Sequence, residues 1–397
     1  MKKKVLVIAH FCDYGEEKTN NRFNYIANML SNAGYDVELI TSDFSHRNKK
    51  KRIKNYKKDK YQTTLVHEPI YKKNISIRRV FSHYIMSKNL SRYLKTIEDP
   101  KIIYCGIPSL NLAATIEKYA QQKNIKMILD VQDIWPEAFK SLCKNEKIFS
   151  ALFYFMERKV DKIYKNADKI ISVSYTYLNR ALKNRKSYDG VCIYLGTDLK
   201  EFDKYKLINN KNIEEKIKLA YIGTLGYSYD IIPVLKALKE LNRRGLKNIE
   251  FIIMGDGPQE NKFKKYADKE HLNVNFMGKL EYSKMVTQLC NCDIAINPII
   301  PGASGSIINK VGDYAAAGIP VINTQDCDEY KALIERYKCG INCRNNDPLE
   351  IADHIEFLIN NIELTKEMGQ NNRKMAEELF DREKNYNQIL KIIEKMI

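Results

Sequence analysis

The sequence lacks the long apolar segments that a membrane-spanning helix needs. No run among its 397 residues approaches the ~18 apolar residues of a membrane span. The start, MKKKVLVIAHFCDYG, has only a short apolar stretch, which predicts a first strand rather than a signal peptide. With 44% hydrophobic and 29% charged residues, the composition is that of a globular cytoplasmic protein. The length favours two domains.

Three common site signatures are also missing. The nine cysteines are scattered without the spacing of zinc ligands, so we expect reduced thiols and no metal centre. The G-x-G-x-x-G fingerprint is absent from the first turn of either half, which disfavours nicotinamide chemistry. No Walker lysine pattern occurs, which disfavours a hydrolysing NTPase.

Acidic residues are scarce in one segment. Between Asp43 and Lys95 the chain has 16 Lys plus Arg against three acids, within a total net charge of +17. Nucleic acid and an anionic membrane surface are both candidate partners, and a solvated loop is the plain alternative. Aromatic and aliphatic residues alternate with the basic ones over 71–86, which favours docking of the stretch 47–86 on the membrane.

Short apolar runs alternate with helical patterns along the whole chain. This alternation predicts parallel sheets built from βαβ units. A polar stretch over 200–216 separates two such halves. We therefore predict an α/β protein with two doubly wound, Rossmann-like domains facing a deep cleft, over 1–205 and 206–380. Residues 381–397 form a predicted terminal helix that could pack on either domain.

One segment of the second half, NKVGDYAAAGIPVINT (309–324), predicts a helix that stops at Gly318, a turn at Pro320 and a following strand. Lys310 would lie at the helix N-terminus, where the backbone N–H groups favour an anion. Asp313 would lie beside it on the same helical turn. The pair suits a phosphate and a hydroxyl-bearing ring, and the alternative is a capped surface helix with a weak ion pair.

Two glycine-containing turns of the second half follow predicted strands. In EFIIMGDGPQE, Gly255 and Gly257 permit close backbone approach to a ligand, although any tight turn favours glycine. In IIPGASGSIINK, a loop with Ser304, Gly305 and Ser306 precedes the helix of Lys310. Its amides and hydroxyls could bind a diphosphate.

These motifs, in this order, resemble the donor-binding domain of the retaining glycosyltransferases of the GT-B fold, specifically the large family 4. The segment DVQDIWPEAF (130–139) resembles the branch that makes capsule and O-antigen polysaccharides. The family's second motif acid corresponds to Asp313, which the resemblance implies would bind the nucleotide ribose. The first motif acid corresponds to Gly305, so the loop of Gly305 and Ser306 would contact the sugar or diphosphate through its backbone.

The segment YIGTLGYSYDI departs from the family in lacking two basic residues, although Gly223 and Thr224 remain. The resemblance then makes Lys310 the main candidate to counter the leaving diphosphate, with Lys279 in FMGKL as a second. No metal or other cofactor is expected, because this lysine and the glycine–serine loop would neutralise the phosphates.

The first half carries the remaining candidates. The family's glycine loop is replaced by EEKTNNRFNYIANML, so Asn20 and Arg22 would approach the donor phosphates. Asp133 would bind or deprotonate the acceptor hydroxyl, unless it caps a helix that starts at Pro136. Trp135, the only tryptophan, would stack on a sugar or fill the core.

The resemblance thus implies a sugar transferase that acts at the inner face of the plasma membrane. It would move a sugar from a nucleotide-sugar donor, favouring a UDP-sugar, to a lipid-linked saccharide acceptor, with retention of configuration. A non-hydrolysing UDP-sugar epimerase of the same fold is one alternative. A basic nucleic-acid-binding protein is another, but no nucleic-acid-reading motif accompanies the charge, and we expect no nucleic-acid partner.

Overall fold

The computed structural model describes residues 2–14, 22–52, 60–74, 76–142, 146–185, 189–206, 216–303 and 306–397, with side chains throughout except at 140–150 and 152. The chain forms two compact units. The first comprises Met1–Ile193 and Tyr386–Ile397, and the second comprises Tyr194–Asn385. The division lies between Ile193 and Tyr194, somewhat before the predicted boundary after residue 205, and residues Tyr386–Ile397 belong to the first unit.

The first unit is built on a parallel sheet of seven strands, in the order β5-β2-β1-β6-β7-β8-β9. Its elements are β1 (Lys4–Ile8), α1 (Arg22–Asn32), β2 (Asp36–Ser42), β3 (Phe44–Ser45), β4 (Lys50–Lys51), β5 (Gln62–Val66), α2 (Ile77–Leu94), β6 (Ile102–Ile107), α3 (Leu110–Lys123), β7 (Lys126–Val131), α4 (Glu146–Asn166), β8 (Lys169–Ser172), α5 (Tyr175–Leu182) and β9 (Gly190–Cys192). A 3₁₀ helix spans Glu137–Leu142. The short strands β3 and β4 form a separate antiparallel pair.

The central strands of this sheet are buried on both faces, as continuous apolar runs predict. Along β1, Leu6 and Ile8 pack into one core cluster, while Val5 and Val7 pack into the cluster on the opposite face. Successive side chains of a strand point to opposite faces, so helices must cover both. The run KVLVI therefore forms a central strand between β2 and β6.

The second unit is built on a parallel sheet of six strands, in the order β12-β11-β10-β13-β14-β15. Its elements are α6 (Leu199–Lys206), β10 (Ile217–Ile222), α7 (Ile232–Arg243), β11 (Ile249–Met254), α8 (Glu260–Lys269), β12 (Val274–Gly278), α9 (Tyr282–Leu289), β13 (Ile294–Asn297), α10 (Lys310–Ala317), β14 (Val321–Asn323), α11 (Asp328–Tyr337), β15 (Gly340–Asn342), α12 (Pro348–Asn360) and α13 (Ile362–Met375). A π-helical turn, Ala376–Phe380, follows. The last helix, α14 (Arg382–Met396), ends in the first unit.

Each sheet has one point where the strand order reverses. In the first sheet it lies between β1 and β6, and in the second between β10 and β13. Ligands of doubly wound sheets bind outside the carboxyl ends of the strands at such a point. These two parallel sheets confirm the predicted α/β class with two Rossmann-like halves. Within the described ranges, no helix has the length and apolar character to cross a bilayer.

Candidate functional site

The helix predicted from NKVGDYAAAGIPVINT is α10, which begins at Lys310 and ends at Ala317. Gly318 ends it in the left-handed region, with φ of +72°, where a side chain would introduce strain. Strand β14 starts at Val321, directly after Pro320. The predicted helix, turn and strand are therefore confirmed. Because α10 follows β13 in the chain, its N-terminus lies at the switch point of the second sheet.

The side chain of Lys310 is directed into the unit rather than into solvent. The residue is only 7% exposed, and its Nζ lies 3.9 Å from the ring centroid of Tyr221 and 4.0 Å from that of Tyr229. Among the residues that the structure describes, Nζ has no hydrogen-bond partner. Burial lowers the pKa of Lys310 well below its usual value. The switch point thus contains a buried lysine amine that has no acidic partner among the described residues.

Gly223 brings the turn after β10 against this lysine. A Cβ atom built at Gly223 would lie 3.1 Å from Nζ of Lys310, and the residue has φ of +121°. The carbonyl of the next residue, Thr224, accepts a 2.8 Å hydrogen bond from the hydroxyl of Tyr221. The side chain of Thr224 is exposed. The structure therefore brings Gly223 and Lys310 together and leaves Thr224 at the surface.

Gly255 and Gly257 permit close packing of two backbone turns. A Cβ atom at Gly255 would lie 1.8 Å from the carbonyl oxygen of Gly223, and one at Gly257 would lie 2.5 Å from that of Leu225. The amide of Leu225 donates a 2.7 Å hydrogen bond to the carbonyl of Asp256. The close approach predicted for these glycines is thus an approach to the turn after β10. Their contact with a ligand stays a prediction.

Asp313 faces away from Lys310, so the alternative of an ion pair between them does not hold. Its Oδ1 accepts hydrogen bonds from Thr197 Oγ1 at 3.0 Å and from Tyr282 Oη at 2.9 Å. Burial raises the pKa of Asp313, although these two hydrogen bonds and the nearby Arg382 oppose that shift. The carboxylate already accepts two hydroxyl groups, which is the type of contact that a ribose would make. Its role at a ribose stays a prediction.

The loop before α10 is described only in part. Ser304 and Gly305 lie outside the described residues, so the predicted diphosphate loop stays a prediction there. Ser306 is buried, and its carbonyl accepts a 2.6 Å hydrogen bond from Nε2 of Gln325. Lys279 is exposed directly after β12, and its predicted role also remains untested.

In the first unit, Asp133 and Trp135 follow β7. Oδ1 of Asp133 accepts a 2.9 Å hydrogen bond from the amide of Ile134, and Oδ2 accepts one of 3.2 Å from Nε1 of Trp135. Burial raises the pKa of Asp133, while these hydrogen bonds and the charge of Arg79 oppose that shift. The amide of Phe139 in the 3₁₀ helix is bonded to the carbonyl of Pro136. These contacts do not form the helix cap that was the alternative for Asp133.

A cluster of aromatic and titratable side chains surrounds Trp135, and sequence reasoning missed most of it. The ring of His83 lies parallel to Trp135 at 6.3 Å, and the guanidinium of Arg79 lies 5.0 Å from the Trp135 ring centroid. His10 contacts His83 edge to face at 4.4 Å and bonds Glu68 at 2.8 Å. One feature of the sequence could have indicated this cluster: Glu68 is one of only three acids in the basic segment between Asp43 and Lys95.

Glu68 is a buried carboxylate at the centre of this cluster. Burial alone would raise its pKa, but hydrogen bonds from His10, Ser42 and Ser82 lower the pKa of Glu68 to about 2. Possible metal-ligand atoms of His10, Glu68 and His83 lie within 4.8 Å of one another. Both ring nitrogens of His10 are already bonded, to Glu68 and to Ser109, and Arg79 Nε lies 3.4 Å from Nε2 of His83. These existing bonds and the nearby guanidinium do not fit a metal-ion site at the three residues.

One Asp-x-Asp triplet occurs in the chain, at Asp326-Cys327-Asp328. Both acids are exposed, and Asp326 pairs with Lys331 at 2.5 Å. Asp328 is in the first turn of α11, where the helix dipole favours an acidic side chain. The triplet therefore has the features of a helix start.

Arg22 lies in the interior of the first unit. It is 2% exposed, and its Nε donates a 2.6 Å hydrogen bond to Oδ2 of Asp130, which also accepts one from Tyr104. Its guanidinium lies 4.7 Å from the ring centroid of Tyr386 in α14. This contact network holds the chain end to the sheet and disfavours the predicted contact of Arg22 with a phosphate. Asn20 lies outside the described residues.

The basic residues before β5 are partly used within the unit. Lys49 donates to Asn74, Lys51 pairs with Asp43, and Arg52 donates to the carbonyls of Ser42 and Cys12. Residues 53–59, with Lys54, Lys57 and Lys58, lie outside the described ranges. By contrast, large apolar side chains of α2 and α4 are exposed: Ile77 (89%), Val80 (65%), Phe81 (56%), Tyr84 (55%), Tyr154 (47%) and Phe155 (81%).

A groove of about 750 Å³ adjoins this apolar surface on α2, α3 and α4. Its lining includes the lysines Lys88, Lys95, Lys118, Lys123 and Lys159. The acid in the lining, Asp99, is paired with Lys123. The groove is therefore a strongly basic surface of the first unit.

Residues 203–375 match the family described as "Glycosyl transferases group 1". An uncharacterized glycosyltransferase, MJ1069 of Methanocaldococcus jannaschii, is 27% identical over 254 residues, which are 62% of this chain and 63% of that protein. The capsular polysaccharide biosynthesis glycosyltransferase CapM of Staphylococcus aureus is 25% identical over 371 residues, which are 89% of this chain and 88% of CapM.

A third relative is an α-1,4-N-acetyl-D-galactosaminyltransferase of Campylobacter jejuni, whose name gives a saccharide on PP-undecaprenol. It is 21% identical over 239 residues, which are 59% of this chain and 62% of that enzyme. Among solved structures, Anabaena Alr3699/HepE in complex with UDP matches with a TM-score of 0.73 at 12% identity, covering 100% of both chains. The expected GT-B fold is therefore confirmed.

Proposed function

We propose that this chain, whose residues 203–375 match the group 1 glycosyltransferase family, is a glycosyltransferase that moves a sugar from a UDP-sugar to a lipid-linked saccharide during synthesis of a cell-surface polysaccharide. The transfer would retain the anomeric configuration, as the resemblance to family 4 implies. The observation that carries the proposal is the buried ammonium of Lys310 at the switch point of the second sheet, without an acidic partner. Such a group suits a multiply charged anion.

The donor half of the proposal follows from the chemistry of glycosyl transfer. As the bond between the anomeric carbon and the diphosphate breaks, negative charge grows on the departing phosphate oxygens. Lys310 would neutralise that charge, and the N-terminus of α10 would add its backbone N–H groups. Asp313 would accept hydrogen bonds from the ribose hydroxyls in place of those from Thr197 and Tyr282. The UDP in the Anabaena structure supports a uridine donor.

The acceptor half is assigned to the first unit. Asp133 would bind the acceptor hydroxyl, and its raised pKa makes it a stronger base than an ordinary carboxylate. Trp135 and His83 would provide flat apolar faces for a sugar ring. The Campylobacter relative supports an acceptor on a polyprenyl diphosphate, and CapM supports a role in capsule synthesis.

A lipid-linked acceptor requires that the enzyme reach the membrane surface. We assign this contact to the exposed apolar side chains of α2 and α4 and to the adjoining lysine groove. Aromatic side chains would enter the interface, and the lysines would attract anionic headgroups on the cytoplasmic side. Lys49, Lys51 and Arg52 contribute less, because they are engaged within the unit.

A thermal-shift screen of nucleotides and nucleotide sugars tests the donor assignment. A ligand that binds only the folded protein raises its stability by mass action. We expect UDP and at least one UDP-sugar to raise the melting temperature, while GDP-sugars and free uridine have smaller effects. If no uridine nucleotide stabilises the protein at millimolar concentration, the proposed donor class is wrong.

A further inference from the structure

A buried ammonium normally needs a carboxylate or several hydrogen-bond acceptors, because removing a charge from water is costly. Lys310 has neither within the described parts of the chain, although it is only 7% exposed. The acid in its own helix, Asp313, is bonded to Thr197 and Tyr282 instead. Some other feature must therefore hold this side chain in the interior.

Two tyrosine rings lie against the end of the Lys310 side chain. Nζ of Lys310 lies 3.9 Å from the centroid of Tyr221 and 4.0 Å from the centroid of Tyr229. The two rings meet edge to face, with centroids 6.0 Å apart and planes at 68°. A cation above an aromatic ring within about 6 Å is attracted by the ring quadrupole, and the attraction grows when water is excluded.

Hydrogen bonds fix the ring of Tyr221 and the backbone of Tyr229. Tyr221 belongs to β10, is fully buried, and donates a 2.8 Å hydrogen bond from its hydroxyl to the carbonyl of Thr224. Tyr229 lies in the following turn, where its amide donates a 3.2 Å hydrogen bond to the carbonyl of Gly226 and its backbone pairs with Ile299. Gly223 leaves room for the lysine beside them.

We propose that Tyr221 and Tyr229 are positioning residues that hold the ammonium of Lys310 for the donor diphosphate. A carboxylate in the same place would hold the lysine but cancel its charge, and it would also repel the phosphates. Aromatic faces hold the amine without adding negative charge, so its N–H donors remain available to an anion, and a bound anion in turn favours the charged ammonium. This inference rests on the proposed function and concerns the same site.

A double-mutant cycle with UDP as the probe tests this role. Tyr229 is suited to substitution because it is only half-buried, whereas Tyr221 is fully buried. Tyr229→Phe keeps the ring, Tyr229→Leu removes it, and Lys310→Met removes the cation. UDP affinity is measured by calorimetry for each single variant and for both Tyr229 variants combined with Lys310→Met. Tyr229→Met replaces Tyr229→Leu if the latter does not fold.

We expect Tyr229→Leu to weaken UDP binding about tenfold and Tyr229→Phe to bind like the parent. In the Lys310→Met background, Tyr229→Leu should add no further loss, because a ring without a cation has nothing to position. The inference is overturned if Tyr229→Leu weakens binding equally in both backgrounds, if Tyr229→Phe is as defective as Tyr229→Leu, or if Lys310→Met has no effect. If the parent protein does not bind UDP, the proposed function itself fails.

Discussion

Nζ of Lys310 lies 3.1 Å from the point that a Cβ atom would occupy at Gly223. The lysine is the first residue of α10, which follows β13, and the glycine follows β10. The contact therefore lies between β10 and β13, where the strand order of the sheet reverses. This is the position where doubly wound sheets bind ligands. The contact places a cation at the point where the family resemblance expects two basic residues that this sequence lacks.

Replacing Lys310 by methionine should lower turnover more than it lowers donor affinity. The leaving diphosphate carries more negative charge in the transition state than in the bound donor, so the lysine stabilises the former more. We expect kcat to fall roughly 100-fold, as for loss of one preorganised electrostatic contact, with a smaller change in KM. Lys265→Met, at an exposed lysine of α8 in the same unit, is the matched control. A loss of donor affinity with an unchanged kcat would mean that Lys310 only binds.

Replacing Asp313 by alanine should weaken UDP binding by about 1.5–3 kcal/mol, the range for a hydrogen bond to a charged group. The measurement is calorimetry with UDP. Asp268→Ala, at an exposed acid of α8 in the same unit, should bind UDP like the parent. An unchanged affinity in Asp313→Ala would remove the ribose assignment and leave Asp313 as the acceptor for Thr197 and Tyr282 alone.

Asp133→Asn should abolish most transfer while leaving nucleotide binding intact. The amide keeps the size of the side chain but cannot accept a proton, and general-base catalysis contributes about 10²–10⁴ in rate. Donor affinity should not change, because the nucleotide is assigned to the second unit. Glu98→Gln, at an exposed acid of the first unit, serves as the control. Retained transfer in Asp133→Asn would exclude the proton-accepting role.

The cluster around Trp135 predicts that the first unit loses stability in acid. Burial, more than the neighbouring side chains of His10 and Arg79, lowers the pKa of His83 from 6.5 to about 2. Between pH 6.5 and about pH 2, His83 is protonated in the unfolded chain but not in the folded unit. This contribution to stability is therefore fully present above pH 6.5 and is lost as the pH falls toward 2.

His83→Phe should remove this contribution and keep a ring beside Trp135. Between pH 7 and pH 5 we expect the free energy of unfolding to fall by about 2 kcal/mol less in the variant than in the parent. Urea unfolding followed by tryptophan fluorescence measures this, because Trp135 is the only tryptophan and lies in the cluster. His67→Asn, with a side chain 60% exposed, is the control. Identical pH dependence of parent and His83→Phe would contradict the assignment.

Removing basic residues of the lysine groove should release the protein from anionic membranes. Each basic residue near such a surface contributes about 1 kcal/mol, and salt screens the attraction beyond about 8 Å. Replacing Lys88, Lys95 and Lys118 by glutamine should therefore reduce sedimentation with anionic liposomes and affect neutral liposomes less. The same change at Lys262, Lys265 and Lys269 of α8, in the second unit, controls for net charge. Equal release by both triple variants would mean that the groove is not the docking surface.

The sequence predicts the strands and α10 well because their signals are local. Continuous apolar runs such as KVLVI mark strands buried on both faces, and Gly318 with Pro320 marks the end of a helix. Contacts between segments that are distant in the sequence are harder to predict. The predicted ligand contact of Gly255 and Gly257 stays a prediction, and their packing on the turn after β10 is revealed only by the pairing of β10 with β11.

The same limit explains the residues that sequence reasoning missed or misassigned. His10, Glu68 and His83 come from different segments of the first unit, and the strand order β5-β2-β1 brings the first two together. Arg22 was assigned to a phosphate from the altered glycine loop. It pairs instead with Asp130 of β7, which a one-dimensional pattern cannot indicate. Tyr229 lies in the segment YIGTLGYSYDI, but the sequence does not indicate that its ring lies against Lys310.

Mass spectrometry of acceptor products tests the central claim most directly. The parent protein is incubated with each of a panel of UDP-sugars and with polyprenyl diphosphate-linked saccharides, and Lys310→Met is run in parallel. The account predicts that one UDP-sugar extends a lipid-linked saccharide by one sugar residue, with release of UDP, and that Lys310→Met does so far more slowly. If a UDP-sugar is consumed or epimerised while no acceptor gains mass, or if Lys310→Met is as active as the parent, the account is contradicted.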